Sequence, residues 1–297
     1  MVALFIVALV ATMAYVMMAR LERDTRRTSM ILRNTQAELL AQGSIAWAMD
    51  TLVMNWEKQK PNQLVDVTPM QMPIENIDGF NISATIYDMQ GKFNLNSLGS
   101  LDAGAGFDKL IREIDPKMPE DEVRQIVRGV SDWLSPADQQ NEFSKYYAQL
   151  PQPYGAAHRD MLSISELRMV KGMTPALYNA LTPYVTALPA NAALNIQTAS
   201  APVIATLSPS LTLPVAASIV ELRAQHPFTS VKVFSDLDIV KNHQIPTSKL
   251  TVVSSYFLVE TNVAIENQHV LIYTLMERAV KEKNAKINIV WQSKGIW

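Results

Sequence analysis

Apolar residues fill the first nineteen positions, Met1 to Ala19, without a charge, a proline or a glycine. As a helix this run would be roughly 28 Å long, which matches a hydrocarbon core of about 30 Å. The run therefore predicts one membrane-spanning helix. A secretory signal peptide would start with basic residues and end at a small-residue cleavage site, and the run has neither feature. Because the sequence starts inside the span, we expect that a basic leader was removed or left out.

The helical pattern continues beyond the span. Residues 20–56 contain no proline and a single glycine, and apolar residues recur at helical spacing until Pro61. One helix of up to about 56 residues, on the order of 85 Å long, is therefore predicted. Four apolar side chains near its end are expected to pack on a strand layer of the globular body: Trp47, Leu52, Val53 and Trp56.

The remaining pattern alternates between strand and helix periods. Phe80 to Tyr87 alternates polar and apolar residues, Asp88 to Gly91 reads as a turn, and Lys92 to Leu98 alternates again, which predicts a β-hairpin. Helical spacing follows in segments 107–114, 120–134, 163–171, 175–188, 201–207 and 215–224. Ser163 and Glu166 resemble a capping box at a helix start. Segments 251–265, 270–278 and 285–292 are rich in β-branched and aromatic residues and predict strands.

This order predicts an α+β fold in which strands bracket helices, as expected for an all-α domain inserted into a helix-plus-antiparallel-sheet domain. The predicted divisions are the transmembrane part of the long helix at 1–19, its continuation and the first strands at 20–98, the inserted helical domain at 99–190, and the completing helices and strands at 191–297.

Composition excludes several classes of function. The chain has 297 residues, a formal charge of −2 and no cysteine, so disulfide, thiolate-metal and thiol redox chemistry are absent. The chain has no excess of basic residues, so its charge does not indicate binding to nucleic acid. Hydrolase, zinc-protease, phosphate-loop and dinucleotide motifs are missing, and the four histidines have no helical ligand spacing. The chain is therefore predicted not to be an enzyme.

An acidic loop, SDWLSPADQQNEF, follows the segment 120–134. Asp132, Asp138 and Glu142 supply hard oxygen ligands of the kind that Ca²⁺ prefers, although the spacing is not that of an EF-hand. A metal site and a solvated acidic surface both remain open, and no other cofactor is expected.

The segment LNIQTASAPVIATL is close to the start of helix-hairpin-helix modules that hold DNA phosphates with a glycine-rich turn. Here that turn would fall at Ser208 to Pro214, which contains no glycine and so offers no cradle of backbone amides. Nucleic-acid binding is therefore not predicted.

Several blocks occur in an order that identifies a family: MVALFIVALV, DMQGKFNLNSL, SDWL, YYAQLPQPYGAAH, SISELRMVKGM, LTPYVTALP and LNIQTASAPVIATL. Together they resemble general secretion pathway protein K, the large minor pseudopilin of the type II secretion system. The resemblance implies a pilin-like fold with an inserted helical domain and a single inner-membrane span. It also implies that most of the chain is periplasmic, at the tip of the pseudopilus, and that a prepilin peptidase removes the leader.

The resemblance also implies partners and roles. The partners would be the minor pseudopilins I and J and, through them, pseudopilin H and the major pseudopilin G. Other pseudopilins carry a glutamate at the fifth mature position, whereas this chain has Phe5 there, which suits a terminal subunit. The membrane and assembly segment would include the following residues: Phe5, Ile6, Val7, Leu9 and Val10.

The same resemblance leaves calcium open. Relatives that bind calcium show a run like D-W-I-D-x-D-D, and here Ser135 and Ala137 replace two of the acids.

The arginines after the predicted span would, by charge bias, favour a cytoplasmic location for the residues that follow it. Acidic residues among these arginines dilute that bias.

The function expected from these observations is that of a structural minor pseudopilin at the pseudopilus tip, which helps to start assembly and the export of folded proteins. The alternative is a membrane-anchored binding protein at the tip of a type IV pilus or DNA-uptake system, and a membrane-bound hydrolase is a more distant one.

Overall fold

The structure, a computed structural model, describes residues 2–58, 69–99, 103–136, 143–266, 268–281 and 284–295. Helix α1, Val2–Lys58, forms one continuous rod from the apolar run into the globular body. Among the described residues it alone is long and apolar enough to cross a membrane. The structure therefore confirms one continuous helix that extends beyond the apolar run, as the sequence pattern predicted.

The rest of the described chain forms further helices and strands. The strands after α1 are β1 Met70–Gln71, β2 Glu75–Ile77, β3 Phe80–Asp88 and β4 Phe93–Asn94. The helices are α2 Ala103–Ile114, α3 Glu120–Leu134, α4 Ser144–Ala148, α5 Pro175–Leu181, α6 Ala201–Ala205, α7 Leu213–Gln225, α8 Val231–Ser235 and α9 Asp238–Asn242. Short 3₁₀ helices cover Leu95–Gly99 and Ile164–Met169. The later strands are β5 Val185–Thr186, β6 Leu194–Asn195, β7 Leu250–Thr251, β8 Tyr256–Ile265, β9 Gln268–Lys281 and β10 Asn284–Lys294.

The main sheet has the strand order β1-β3-β8-β9-β10, with β2 paired to β3, and every pairing in it is antiparallel. Ile86 lies opposite Val259, and Phe257 lies opposite Met276, so these side chains share one face. Helix α1 packs on that face and covers β3, β8, β9 and β10. This layer of one long helix on an antiparallel sheet is the first core of the molecule.

Small side chains line the face of α1 that meets the sheet. Ala37, Ala41 and Ala48 are almost fully buried, and Leu52 is the large buried residue near the end of the helix. Alanine at these positions lets the helix axis approach the strands closely. Residues 2–36 carry no buried side chain, so the helix projects from the body before Ala37.

The end of α1 is fastened to the sheet by an arginine. The Arg278 guanidinium carbon lies 5.1 Å from the centre of the Trp56 ring and 4.8 Å from that of Phe257. Only 1% of Arg278 is exposed, and its Nη2 donates to the Ser254 carbonyl oxygen at 2.6 Å. A desolvated cation between two rings gains from both, so Arg278 ties the last turn of α1 to β8 and β9. Of the other predicted packing residues, Leu52 is buried, while Trp47 and Val53 are half-buried in the same core.

A second core lies in the helical domain, and its extent differs from the predicted boundary at residue 190. It runs from Phe93 to Val252 and includes helices on both sides of that boundary. Helix α6 packs on both α2 and α7, which joins the two predicted parts. The helices between residues 201 and 242 therefore belong to the helical domain rather than to the sheet domain, because their apolar faces meet the earlier helices.

The predicted hairpin between Phe80 and Leu98 is wrong. Strand β3 pairs with β8, whereas β4 pairs in parallel with β5, and the Phe93 amide donates to the Tyr184 carbonyl at 2.8 Å. The turn at Asp88 to Gly91 carries the chain out of the sheet and into the helical domain. Alternation had identified two extended segments but could not identify their partners.

The predicted capping box of Ser163 and Glu166 forms with different backbone partners. Ser163 Oγ accepts from the Ser165 amide at 3.1 Å, and Glu166 Oε1 accepts from the Leu162 amide at 2.8 Å. Glu166 Oε2 in turn accepts from Trp133 Nε1 at 3.1 Å. The side chains thus begin a short 3₁₀ helix and bind it to α3, which replaces the longer helix predicted at 163–171.

Overpacking the inner face of α1 tests its close approach to the sheet. We expect Ala48→Leu to lower the free energy of unfolding by about 1–3 kcal/mol, because the added carbons have no space against the strands. Ala46→Leu is the matched control, since Ala46 is exposed and the change should stay within about 0.5 kcal/mol. Urea unfolding of the full chain in detergent micelles measures both values, and equal losses would contradict the packing described.

Candidate functional site

The predicted assembly segment lies in the part of α1 that projects from the body. Its side chains are 49% to 71% exposed: Phe5, Ile6, Val7, Leu9 and Val10. No acidic residue occurs between Val2 and Ala19. An apolar surface of this kind is stable in lipid or against other apolar helices, and it is unfavourable in water.

Beyond residue 19, α1 carries a second apolar feature, the outer stripe, formed by Leu21, Leu32 and Leu39. These leucines are 67%, 59% and 67% exposed. They are separated by eleven and seven residues, close to three and two helical turns, so they lie on one face. Gly43 and Ala46 continue this face, and nothing lies within 4 Å of where a Cβ on Gly43 would be.

The outer stripe lies opposite the buried alanines, so α1 uses one face for its own sheet and leaves the other uncovered. Leucines followed by small residues on an exposed helix face are suited to close packing with another helix. Sequence reasoning missed this stripe, although the spacing of its leucines among polar residues was a readable signal.

Two exposed ion pairs hold α1 to the ends of the long strands. Arg33 Nη1 lies 3.2 Å from Glu266 Oε1, just beyond β8, and Lys294 Nζ lies 2.7 Å from Glu38 Oε1. Exposed pairs contribute little stability, typically about 0–1 kcal/mol each. Both pairs lie near the point at which the helix leaves the sheet.

The sheet and the helical domain meet at a buried polar junction built around Asp88 and Gln90. One carboxylate oxygen of Asp88 accepts from the Gln90 amide at 2.8 Å, and the other accepts a short hydrogen bond from Thr198 Oγ1. Gln90 Nε2 donates to the Ala193 carbonyl at 2.7 Å, while its Oε1 accepts from the amides of Ser255 and Tyr256. A single side chain therefore joins three segments that are far apart in sequence.

Asparagine side chains extend this junction into the helical domain. Asn195 Nδ2 donates to Ser254 Oγ at 2.7 Å, and the Asn195 amide donates to the Gln90 carbonyl at 2.8 Å. Asn96 is 3% exposed, and its Nδ2 donates to the carbonyls of Met161 and Leu188 at 2.9 and 2.8 Å. Buried amides with partners of this kind fix one packing arrangement, since each lost partner would be costly.

Ser254 connects the junction to the end of α1. Its hydroxyl accepts from Asn195, and its carbonyl accepts from Arg278, which lies against Trp56. A continuous set of contacts therefore runs from the last turn of the long helix through β9 into the helical domain. This arrangement links the position of the helical domain to that of α1.

An apolar seam supports the junction on the outer face of the sheet. Met89, Leu188, Leu258 and Leu275 are buried together, and Trp291 packs against them. Leu258 and Leu275 are opposite each other across β8 and β9, on the face away from α1. The sheet is therefore covered by α1 on one face and partly by the helical domain on the other.

The acidic loop is only partly described. Asp132 is 7% exposed at the end of α3, whereas Asp138 and Glu142 lie outside the described residues. Among the described residues, no group of three or more metal-ligating side chains comes together. Calcium binding therefore stays a prediction.

Aromatic residues flank this loop. Trp133 meets the edges of the Tyr147 and Tyr154 rings at 5.9 and 6.3 Å between centres. Burial raises the pKa of the Tyr147 hydroxyl to about 12, and that hydroxyl accepts from the Lys171 amide at 3.2 Å.

The segment from Ser208 to Pro214 stands where a DNA-binding module would have its glycine-rich turn. It presents backbone carbonyl groups there rather than free amides. Lys109 Nζ donates to the carbonyl oxygens of Ser208 and Leu211 at 2.9 and 2.6 Å. A phosphate cradle needs amide hydrogens that point outward, and here carbonyls converge on a cation instead.

Comparison with known proteins matches residues 91–190 and residues 194–253 to two family models, both described as type II secretion system (T2SS), protein K. Together the two matches cover more than half of the 297 residues, and they begin within the DMQGKFNLNSL and LNIQTAS blocks that form the junction. The chain belongs to the type II secretion system protein K family. Its role is that of a minor pseudopilin in type II secretion, as the sequence resemblance predicted.

Individual relatives agree with this assignment. The chain is 29% identical to type II secretion system protein K of Pseudomonas aeruginosa, over 75% of this chain and 68% of the relative. It is 28% identical to the protein K of Klebsiella pneumoniae, over 99% of this chain and 94% of that one.

A solved structure shows the same fold. The chain is similar to one from the crystal structure of the GspK-GspI-GspJ complex of the enterotoxigenic Escherichia coli type 2 secretion system. The TM-score is 0.73 at 21% identity, over 91% of this chain and 99% of that one. The comparison confirms the predicted α+β fold with a long N-terminal helix.

Gly91 tests the junction. A Cβ at this position would lie 2.7 Å from Thr198 Oγ1 and 3.0 Å from the Thr198 carbonyl carbon. We expect Gly91→Ala to destabilise the chain by about 1–3 kcal/mol, because the backbone of Thr198 must move and pull its hydroxyl from Asp88. Gly155→Ala is the control, with nothing within 4 Å of its added carbon. Thermal unfolding compares the two, and equal melting temperatures would show that the junction tolerates the methyl group.

Chelation tests the calcium prediction. If Asp132, Asp138 and Glu142 hold Ca²⁺, the ion binds only the folded state and adds about 2.7 kcal/mol at a hundredfold excess over its Kd. Removing it should lower the melting temperature, and Asp138→Asn should reduce that response. Coincident melting curves with calcium and with chelator would leave the loop as a solvated acidic surface.

Proposed function

We propose that the chain is a non-enzymatic structural subunit at the tip of the type II secretion pseudopilus. It would be anchored in the inner membrane by a single span with the bulk of the chain in the periplasm. There it would help to start pseudopilus assembly and the export of folded proteins across the outer membrane. The observation that carries this proposal is the division of α1 into a face packed on its own sheet and an uncovered apolar face.

The outer stripe supports assembly through helices. A partner helix that packs along Leu32, Leu39 and Gly43 would continue, outside the membrane, the apolar contact surface of residues 2–19. The close approach allowed by Gly43 and Ala46 suits the packing of a partner helix on this face.

The partners on this face would be the minor pseudopilins I and J, and through them pseudopilin H and the major pseudopilin G. The similarity of this chain to one from a GspK-GspI-GspJ complex supports I and J as the direct partners. A prepilin peptidase would process the chain before assembly.

Two features support a terminal position. The helical domain adds a second core, from Phe93 to Val252, to the width of the sheet domain, which makes the subunit too broad for the interior of a thin fibre. The apolar segment 2–19 also lacks the carboxylate that would attract a neighbouring subunit.

A structural role agrees with how the described polar side chains are used. The buried carboxylate and amides of the junction bind backbone groups or the hydroxyls of Thr198 and Ser254. We therefore propose that binding, rather than catalysis, is the activity of this subunit.

Co-purification tests the proposal. The full chain, carrying an affinity tag and extracted in mild detergent, should recover pseudopilins I and J when the three are expressed together. Leu39→Asp should weaken recovery, since a buried charge at a central contact costs about 2 kcal/mol or more, roughly thirtyfold in affinity.

Val233→Asp provides the control, because Val233 is 45% exposed on α8 in the helical domain, away from α1. Recovery of neither partner by the unmodified chain would overturn the proposed assembly. Equal recovery by Leu39→Asp and the unmodified chain would instead exclude the outer stripe as the contact.

A further inference from the structure

A cavity of about 340 Å³ lies in the helical domain beside the junction. Its wall is assembled from the segment after β3, from α2 and α6, and from the segments before β6 and β7, and it includes Phe93, Ser97, Val203, Thr206 and Leu250. Pockets that hold small molecules in proteins begin at about 300 Å³, so this cavity has the size for a small ligand.

The wall of the cavity is mainly apolar. Phe93, Leu188 and Val203 are buried, and Leu207 and Leu250 complete the hydrocarbon surface. Ser97, Thr206 and Ser248 place hydroxyl groups in the same wall. A lining of this type favours a ligand with an aliphatic part and a polar end.

The charges in the cavity are all of one sign. Lys92 and Lys249 line it, and no aspartate or glutamate is found among the described residues of its wall. Lys249 is exposed, whereas Lys92 is half-buried with its Nζ 3.4 Å from the Thr182 carbonyl oxygen. Burial lowers the pKa of Lys92 to about 8, although the neighbouring Asp88 raises it. A carboxylate that entered the cavity would be attracted to this ammonium group and to that of Lys249.

We propose that this cavity is a binding site for a short aliphatic carboxylate, with its hydrocarbon part against Phe93, Val203 and Leu250 and its carboxylate toward Lys92 and Lys249. The site is separate from the outer stripe of α1 and does not depend on the pseudopilin assembly proposed above. The ligand is defined by its chemistry, namely a single negative charge on a chain small enough for the cavity.

Fluorine NMR tests the site directly. The full chain is placed in nanodiscs and titrated with 6,6,6-trifluorohexanoate, with empty nanodiscs to subtract partition into lipid. We expect saturable broadening of the fluorine signal. The alcohol of the same length, 6,6,6-trifluorohexanol, should bind at least about tenfold more weakly, because it lacks the charge.

Lysine variants locate the binding. Lys249→Met and Lys92→Met should each weaken the affinity about tenfold, since methionine keeps most of the stem and removes the cation. Lys117→Met and Lys171→Met are the controls for an exposed and a half-buried lysine outside the cavity, and they should leave the affinity unchanged.

The dependence on pH separates charge recognition from a structural role of Lys92. The affinity should fall as the pH rises through about 8, because Lys92 loses its proton there while the ligand stays ionised. The charged groups concerned are Asp88, beside Lys92, and Lys249 in the same cavity. The fall should persist in Lys249→Met and disappear in Lys92→Met.

Three results would overturn the proposal. They are the absence of saturable binding, equal binding of the alcohol and the carboxylate, and an equal loss of affinity in the control lysine variants. If Lys92→Met fails to fold, Lys249→Met and the pH dependence of the unmodified chain still decide between these outcomes.

Discussion

The approach of α1 to the sheet depends on three alanines. Ala37, Ala41 and Ala48 bring the helix close to β3, β8, β9 and β10, and the larger Leu52 closes the core at its end. A helix held this tightly on one face presents its other face in a fixed direction. The uncovered leucines of α1, and the apolar run that precedes them, are therefore oriented by a contact made entirely within the globular body.

The orientation of the helical domain follows from a different kind of interaction. Arg278 lies between Trp56 and Phe257, and Ser254 links that arginine to Asn195 and so to Gln90. Apolar packing tolerates small shifts, whereas hydrogen bonds between buried groups require particular distances and angles. The two domains are thus joined by directional contacts that continue to the end of the helix.

The lysines of the helical domain illustrate how position decides function. Lys109 is half-buried and donates to the carbonyl oxygens of one loop, so its charge stabilises that loop. Lys92 is also half-buried but lies in the wall of a cavity with a second lysine. The same residue type closes a loop in one place and leaves a positive, partly apolar cavity in the other. The residue type alone does not determine either role, since both depend on where the lysine lies in the fold.

The sequence by itself determined those features that depend on local periodicity and length. The uninterrupted apolar run and the helical spacing after it determined α1, helical spacing determined Glu120–Leu134, and β-branched residues determined the three long strands. Hydrophobic period specifies which face of an element is buried, and this information is local.

Only the tertiary structure decided which elements meet. Strand β4 pairs with β5, far along the chain, rather than with its neighbour β3. Helices α6 to α9 join the core of the helical domain, which the sequence pattern predicted to end at residue 190. The junction and the cavity are likewise built from segments far apart in the chain, as in the hydrogen bond from Gln90 to Ala193 across 103 residues. Periodicity shows that a face must be covered but not by what, because the choice of partner depends on the packing of the whole chain.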